Sequence, residues 1–572
     1  MFDYAKLPAK YSRNFVPKKA DLADWHQIET LYDQLDKQDV SSVELLKKFI
    51  ANWDELDDCI GEEGTIRTIE SDLQTEDKEK EKARLFFVEE IQPKMKPREQ
   101  ALKNKYLSSP GRIQLGPDFA MLDRAVAIEA EIFRIENVGL ATDDEILAID
   151  YQKLSGGLTV QFDGAEKTLA QLRPILEETD RGRRESAWMA SAQRRLNERD
   201  KFEEIFDGML ELRGKIGRNA NLPNFRDYAF KMYQRFDYTP ADCVAFHDAV
   251  EKHIVPLAGR LLDQRRTKMG LESLRPWDLD VDPDGKPPLR PFKSALELED
   301  GTSRIFKGMD QELSGQFELL RKQGLLSLEN YKGKAPGGYQ ATLTEKRLPF
   351  IFMNSVGQDQ DLQTLVHEAG HAFHTFAARD MSLSSYRHTT SEYSEVASMG
   401  MELLAIPYLN EFYANEDDLA RATKVRLESI VEILPWIAVV DAFQHWLYTN
   451  MGHTRQARRA KWLELHSRFM VGTNWAGLEE ERAYIWHRQL HFFVAPFYYI
   501  EYGIAQLGAL GLWRESRHNY SAAMASYRRS LALGGSKPLP ELFKAAGLDF
   551  DFSSKTLKPL AGELAEALGL GG

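Results

Sequence analysis

The chain has 572 residues, 43% of them hydrophobic and 11% aromatic, which is more than one hydrophobic core accommodates and predicts a globular protein of two or more lobes. A formal net charge of -14 argues against general affinity for nucleic acid or anionic membranes. The two cysteines, Cys59 and Cys243, form neither a disulfide framework nor a thiolate zinc pattern, and each reads as an inert core thiol. The stretch MFDYAKLPAKYSRNF has no apolar segment of the kind a secretion signal needs, and the longest apolar run, near Leu434 to Val440, is too short to span a bilayer. A cytoplasmic protein without a membrane partner is the expectation.

From about residue 20 to 105 the pattern is helical and heavily charged. The mixed charges of Glu76 to Lys82 read as a solvated helix face. Ser108-Ser109-Pro110-Gly111 breaks the pattern, and helices resume near Asp118. In Ser155 to Leu169, alternation around Leu158, Val160 and Phe162 with an Asp163-Gly164 turn predicts one small hairpin. Long helices rich in Arg and Glu follow as far as Gly217.

Between Tyr331 and Val356 the texture changes. Gly337-Gly338 precedes Tyr339, and the compact apolar run Leu348 to Met353 reads as a β-strand. Such a strand is either a sheet edge, to which an extended peptide can add by main-chain hydrogen bonds, or a buried structural strand. Both readings stay open at this point.

Asp361 to Phe376 contains His367-Glu368-Ala369-Gly370-His371, an H-E-x-x-H motif, on a predicted helix over Leu362 to Phe376 with Asp361 as N-cap. Residues four apart share a helix face, so both imidazoles can reach one tetrahedral ion, and Glu368 is the candidate general base. Leu362, Leu365, Val366, Ala369 and Phe373 make the segment apolar enough to be buried, where unpartnered imidazoles are costly. His374 lies seven residues from His367, roughly 10 Å along a helix axis, and is assigned to packing or to support of the ligands.

A catalytic zinc takes three protein ligands. In the segment beginning at His388, Thr389 and Glu392 match a capping box, which accounts for Glu392. Glu395 shares an apolar stripe with Met399 and Leu403 and needs a partner there, a metal ion being one. Glu402 is placed to support a ligand imidazole. The aromatic stretch from His491 carries Tyr498, Tyr499 and Tyr502, the last two one helical turn apart.

HEAGHAFH followed by SEYSEVAS resembles the oligoendopeptidase F and thimet oligopeptidase family of zinc metallopeptidases. GKAPGGYQ, PFIFMN, LPWIAVVDAFQHWLY and HFFVAPFYYIEYGIAQLGALGLW are similar to its bacterial oligoendopeptidase branch, over about residues 200 to 560. The resemblance implies a mostly α, gluzincin-like fold, with two helical lobes flanking a deep substrate channel and a small β-sheet beside the motif helix. Residues 1–200 would be an N-terminal helical lobe and 201–572 the catalytic region. One Zn2+ would be bound by His367, His371 and Glu395, since Glu395-Val396-Ala397-Ser398 matches the family's E-V-x-S. His491 and a tyrosine pair, aligned with Tyr499 and Tyr502 across a one-residue gap, would assist catalysis, and the choice among Tyr498, Tyr499 and Tyr502 stays open. Gly337, Gly338, Tyr339, Phe352 and Tyr498 are the candidate substrate-binding residues.

The implied activity is zinc-dependent cleavage of internal bonds in short unstructured peptides. The alternatives are an exopeptidase with the same chemistry and a non-enzymatic peptide-binding protein with structural zinc. Glu368 argues against the last, because a structural site needs no base. No oligomeric state is implied.

Overall fold

The computed structural model describes residues 3–8 and 10–571. It is predominantly helical, with one two-stranded and one three-stranded sheet among the described residues. None of its described helices is long and apolar enough to cross a membrane. The chain forms two compact units, each assembled from three segments, so that both draw on residues from either side of position 200.

The first unit comprises Met1–Ala130, Arg290–Thr423 and Gly508–Phe550. It holds the three-stranded sheet, in which Leu348–Ser355 is central, parallel to Leu326–Glu329 and antiparallel to Tyr339–Leu343. The compact apolar run is therefore a buried central strand, and the edges beside it are Leu326–Glu329 and Tyr339–Leu343. Leu348 to Met353 are all buried, as expected of a strand covered on both faces.

The loop ahead of the edge strand is fixed by Lys334, whose buried ammonium donates to the carbonyls of Ser327, Glu329 and Met353 at 3.0, 2.8 and 2.6 Å. Burial pushes this lysine down to about 8. Gly337 follows with φ of +100°, a conformation side chains resist. The main chain of the same loop bonds the end of helix Val43–Leu73, through Ala335 N–H to Asp72 O at 2.7 Å.

The motif helix runs Asp359–Ala378, longer at both ends than its pattern predicts. Its N-cap is Gln358, and Asp361 acts from the third helical position, accepting from the backbone N–H of Gln358 at 2.9 Å and of Val356 at 2.7 Å. The helix packs against the central strand on one side and against Ser391–Leu404 on another. The latter starts after Thr390 without a side-chain cap, so the predicted Thr389–Glu392 capping box does not form.

The second unit comprises Glu131–Leu289, Lys424–Leu507 and Asp551–Gly572. Its hairpin pairs Thr159–Phe162 with Ala165–Thr168 through Asp163 and Gly164, both at positive φ, as the Asp-Gly turn predicts. Arg213 is fully buried and ties the aromatic segment in place, donating to Tyr448 Oη at 2.7 Å and to the carbonyl of Phe492 at 2.9 Å.

Candidate functional site

His367 and His371 stand one turn apart on the motif helix, and Glu395 reaches them from Ser391–Leu404. Their ligand atoms all lie within 4.8 Å of one another. His367 Nε2 and His371 Nε2 are 3.5 and 3.8 Å from Glu395 Oε2.

The close approach of the two helices depends on Gly370. A Cβ there would lie 2.6 Å from both Ala397 O and Ser398 Cα, a distance that real side chains do not adopt. The small residue inside the motif thus lets the helix carrying Glu395 come near enough to complete the ligand set.

The donors are held by further groups. Glu402 Oε1 is 2.6 Å from His367 Nδ1, and Gln363 donates to its other oxygen at 2.6 Å. Ser394 Oγ is 3.2 Å from His371 Nδ1, and Ser398 donates to Glu395 Oε2 at 3.0 Å. With Nδ1 of each ring occupied, both Nε2 atoms face Glu395, which is the arrangement a metal ligand needs. Two imidazole nitrogens and one carboxylate, all orientated, fit a catalytic zinc. Gln363 and Ser394 were not singled out in the sequence, although each lies within one helical turn of a predicted ligand.

Charges of the site follow its burial. For His367, burial lowers the affinity for a proton, but the bond to Glu402 and the nearby carboxylates outweigh it and raise the group to about 9. His371 falls well below its ordinary value through burial and the neighbouring imidazoles. Glu368 is pushed up to about 7, chiefly by burial, with His367 opposing and Glu395 adding to the rise. Its carboxylate also accepts the backbone N–H of Gln340, so the edge strand contacts the candidate base. His374 is buried with Nε2 unpartnered and is pushed down to about 4, chiefly by burial, which favours packing over support of the ligands, the two roles its spacing left open.

Of the substrate-binding candidates, Gly338 lies against the motif helix, since a Cβ there would sit 3.2 Å from Thr364 Cγ2. The Tyr339 ring stacks on Phe352 with centroids 4.9 Å apart, and its hydroxyl donates to Asp72 at 3.0 Å. Phe352 is fully buried. Its side chain is a packing element with no surface to offer a peptide, a correction that follows from the central place of its strand.

His491, Tyr498, Tyr499 and Tyr502 belong to the second unit and form one cluster. The His491 ring lies 4.8 Å from that of Tyr499, 5.8 Å from Tyr502 and 6.0 Å from Tyr498. Trp436 donates to Gln489 Oε1 at 2.8 Å, and the Gln489 amide lies 2.7 Å from His491 Nδ1. This chain leaves the His491 proton on Nε2, and burial pushes the ring down to about 4, so it is a neutral N–H donor. Burial raises Tyr499 to about 12, keeping its hydroxyl protonated. Phe497, just ahead of the tyrosines, has φ of +69° and donates its N–H to Gln444, a strained turn that the sequence does not announce.

Residues 175–561 match peptidase family M3, and residues 15–120 match the peptidase M3 N-terminal domain. The chain belongs to peptidase family M3. This is a family of metallopeptidases. An oligoendopeptidase F homolog of Borreliella burgdorferi is 23% identical over 269 residues, 45% of this chain and 44% of the relative. The oligopeptidase PepF of Bacillus subtilis is 24% identical over 312 residues, 52% of this chain and 44% of the relative. The chain thus spans about half the length of the curated relatives it matches. A solved structure of a Pz peptidase A with an inhibitor superposes with a TM-score of 0.89 at 28% identity, covering 97% of this chain and 99% of that one.

Proposed function

We propose that this M3 family member is a zinc-dependent oligoendopeptidase that hydrolyses internal bonds of short unstructured peptides in the cytoplasm, its chemistry residing in residues 201–572. The observation that carries the reading is the convergence of His367, His371 and Glu395 with the Glu368 carboxylate on the same helix. His367, His371 and Glu395 would hold one zinc ion. When bound, the ion supplies Lewis acidity toward the attacking water and the scissile carbonyl.

Glu368 takes the proton of the attacking water and delivers it to the leaving amine. A carboxyl group near neutrality suits both transfers, because it can accept and release a proton at physiological pH. Tyr499 and Tyr502, with His491 Nε2–H assisting, are the proposed donors to the oxyanion formed from the carbonyl, a role supported by the resemblance of their segment to the family. Such contacts strengthen as negative charge develops. Gly337, Gly338 and the edge strand from Tyr339 receive the peptide main chain, with Phe352 as packing beneath Tyr339 and Tyr498 a further candidate for contact with the peptide.

The test is product mapping on a peptide of about ten residues, blocked at both ends, and on a folded protein containing the same sequence. Internal cuts in the blocked peptide, lost with a chelator and restored by zinc, with the folded protein left intact, are the expected result. Failure to cut the blocked peptide while its free-ended form is trimmed would replace the reading with an exopeptidase. Binding without cleavage would replace it with a peptide-binding protein.

A further inference from the structure

The second unit contains another cluster of metal-ligating side chains, remote in sequence from the motif helix. Helix Pro240–His253 carries Cys243 and His247 four residues apart, and helix Glu416–Thr449 carries Asp441 and His445 four residues apart. Each pair therefore occupies one helix face. Ligand atoms of Cys243, Asp441 and His445 lie within 4.8 Å of one another. His445 Nε2 is 3.3 Å from Asp441 Oδ2, shorter than either imidazole-to-Glu395 spacing at the motif helix. His247 Nε2 hydrogen-bonds the same Asp441 oxygen at 2.8 Å.

Cys243 and Asp441 are fully buried, His247 is 3% exposed and His445 is 8% exposed. The surroundings are aromatic: Phe230 and Phe497 pack edge-on to His445, and Phe246 and Phe469 edge-on to His247. In this apolar interior Asp441 Oδ1 has no hydrogen-bond partner, and His445 Nε2 has only its 3.3 Å approach to Asp441 Oδ2. The hydrogen bond between His247 and Asp441 leaves Oδ1 unsatisfied, a buried polar atom that an apolar interior penalises. A cation among the three donors would satisfy Oδ1 and engage His445 Nε2.

We propose that Cys243, Asp441 and His445 bind a second metal ion of the zinc class, with His247 orientating the carboxylate. Sulfur, nitrogen and oxygen donors together favour zinc over calcium or magnesium. Thiolate and carboxylate together neutralise a divalent charge, and binding displaces the Cys243 thiol proton. The ion joins two helices whose ligands are nearly 200 positions apart in sequence, and its burial keeps it from any substrate.

The experiment is zinc analysis of the full chain after exhaustive dialysis, with cobalt(II) replacement followed by near-ultraviolet spectroscopy. Two ions per chain are expected, and the cobalt protein should show a thiolate-to-metal charge-transfer band, which the His367, His371 and Glu395 set cannot give because it has no sulfur. His371→Ala should lose one ion and keep the band, and Cys243→Ala should lose the band. A wild-type chain that binds one zinc and shows no thiolate band overturns the proposal, whether or not Cys243→Ala folds and whatever the outcome of the peptide assay.

Discussion

Replacing Gly370 by alanine sets two physical effects against each other. In an unconstrained helix interior the change stabilises by about 1 kcal/mol, because glycine loses more backbone freedom on folding. Here the new Cβ would meet Ala397 O and Ser398 Cα at 2.6 Å, where ordinary contact begins at 3.4 Å, so the two helices must part by about 0.8 Å, 3.4 less 2.6. Both atoms are backbone, so no rotamer change relieves the clash. Overpacking of this kind costs about 1–3 kcal/mol, which exceeds or cancels the gain in propensity. The displaced element is the one that bears Glu395, and a misplacement of about 1 Å at a reacting centre costs on the order of a hundredfold in rate. Thermal unfolding of the zinc-free and zinc-loaded variant, zinc affinity by competition with a chromogenic chelator, and peptidase rate are the assays. Lower stability, weaker zinc binding and a rate reduced by about a hundredfold are expected. A variant more stable than wild type with unchanged zinc affinity would refute the packing argument.

Glu402→Ala should weaken zinc binding by about 10–100-fold by freeing the His367 ring, and Ser394→Ala should do less, both read by the same competition. Tyr499→Phe and Tyr502→Phe, assayed separately, should lower kcat with little change in KM, and the larger loss, of up to about 10²–10³, identifies the principal oxyanion donor. Zinc affinity should fall as pH falls. In the metal-free site His367 is raised to about 9 while His371 is lowered, so one proton competes with the ion below pH 9, for a slope of about tenfold per pH unit. Affinity that does not vary between pH 6 and 8 would remove His367 from the ligand set.

The parts of the site that share a helix were legible because helical spacing is local. His367, Glu368 and His371 follow from a five-residue pattern, and Glu395 from a carboxylate on an apolar stripe, where it needs a partner, strengthened by the E-V-x-S resemblance. Glu402 followed from its place relative to Glu395. What the sequence hid depends on contacts between elements. Gly370 reads as a minor blemish in a helix until Ala397 and Ser398 are seen against it. Phe352 could not be told from an edge residue, because an apolar run has the same composition whether one or both of its flanks are paired. Lys334, in a Gly-rich stretch, looks like a surface lysine and is instead the buried clasp of the loop. Thr389 matched a capping pattern, yet the helix starts after Thr390, since end positions shift easily by a residue. The pairing of Cys243 with Asp441 and His445 lay beyond any local pattern, because each helix contributes only half of it.

The central claim is that Glu368 is the base of a zinc peptidase whose metal ligands are separate from it. Glu368→Gln keeps the size of the side chain and one acceptor oxygen while removing its ability to take a proton. The deciding measurement is the rate of hydrolysis of an end-blocked, internally quenched peptide by wild type and by this variant, with zinc measured in both. The account predicts equal zinc content and a rate reduced by about 10²–10⁴-fold, the contribution of a positioned general base. A variant that retains its zinc and cuts at the wild-type rate would contradict it.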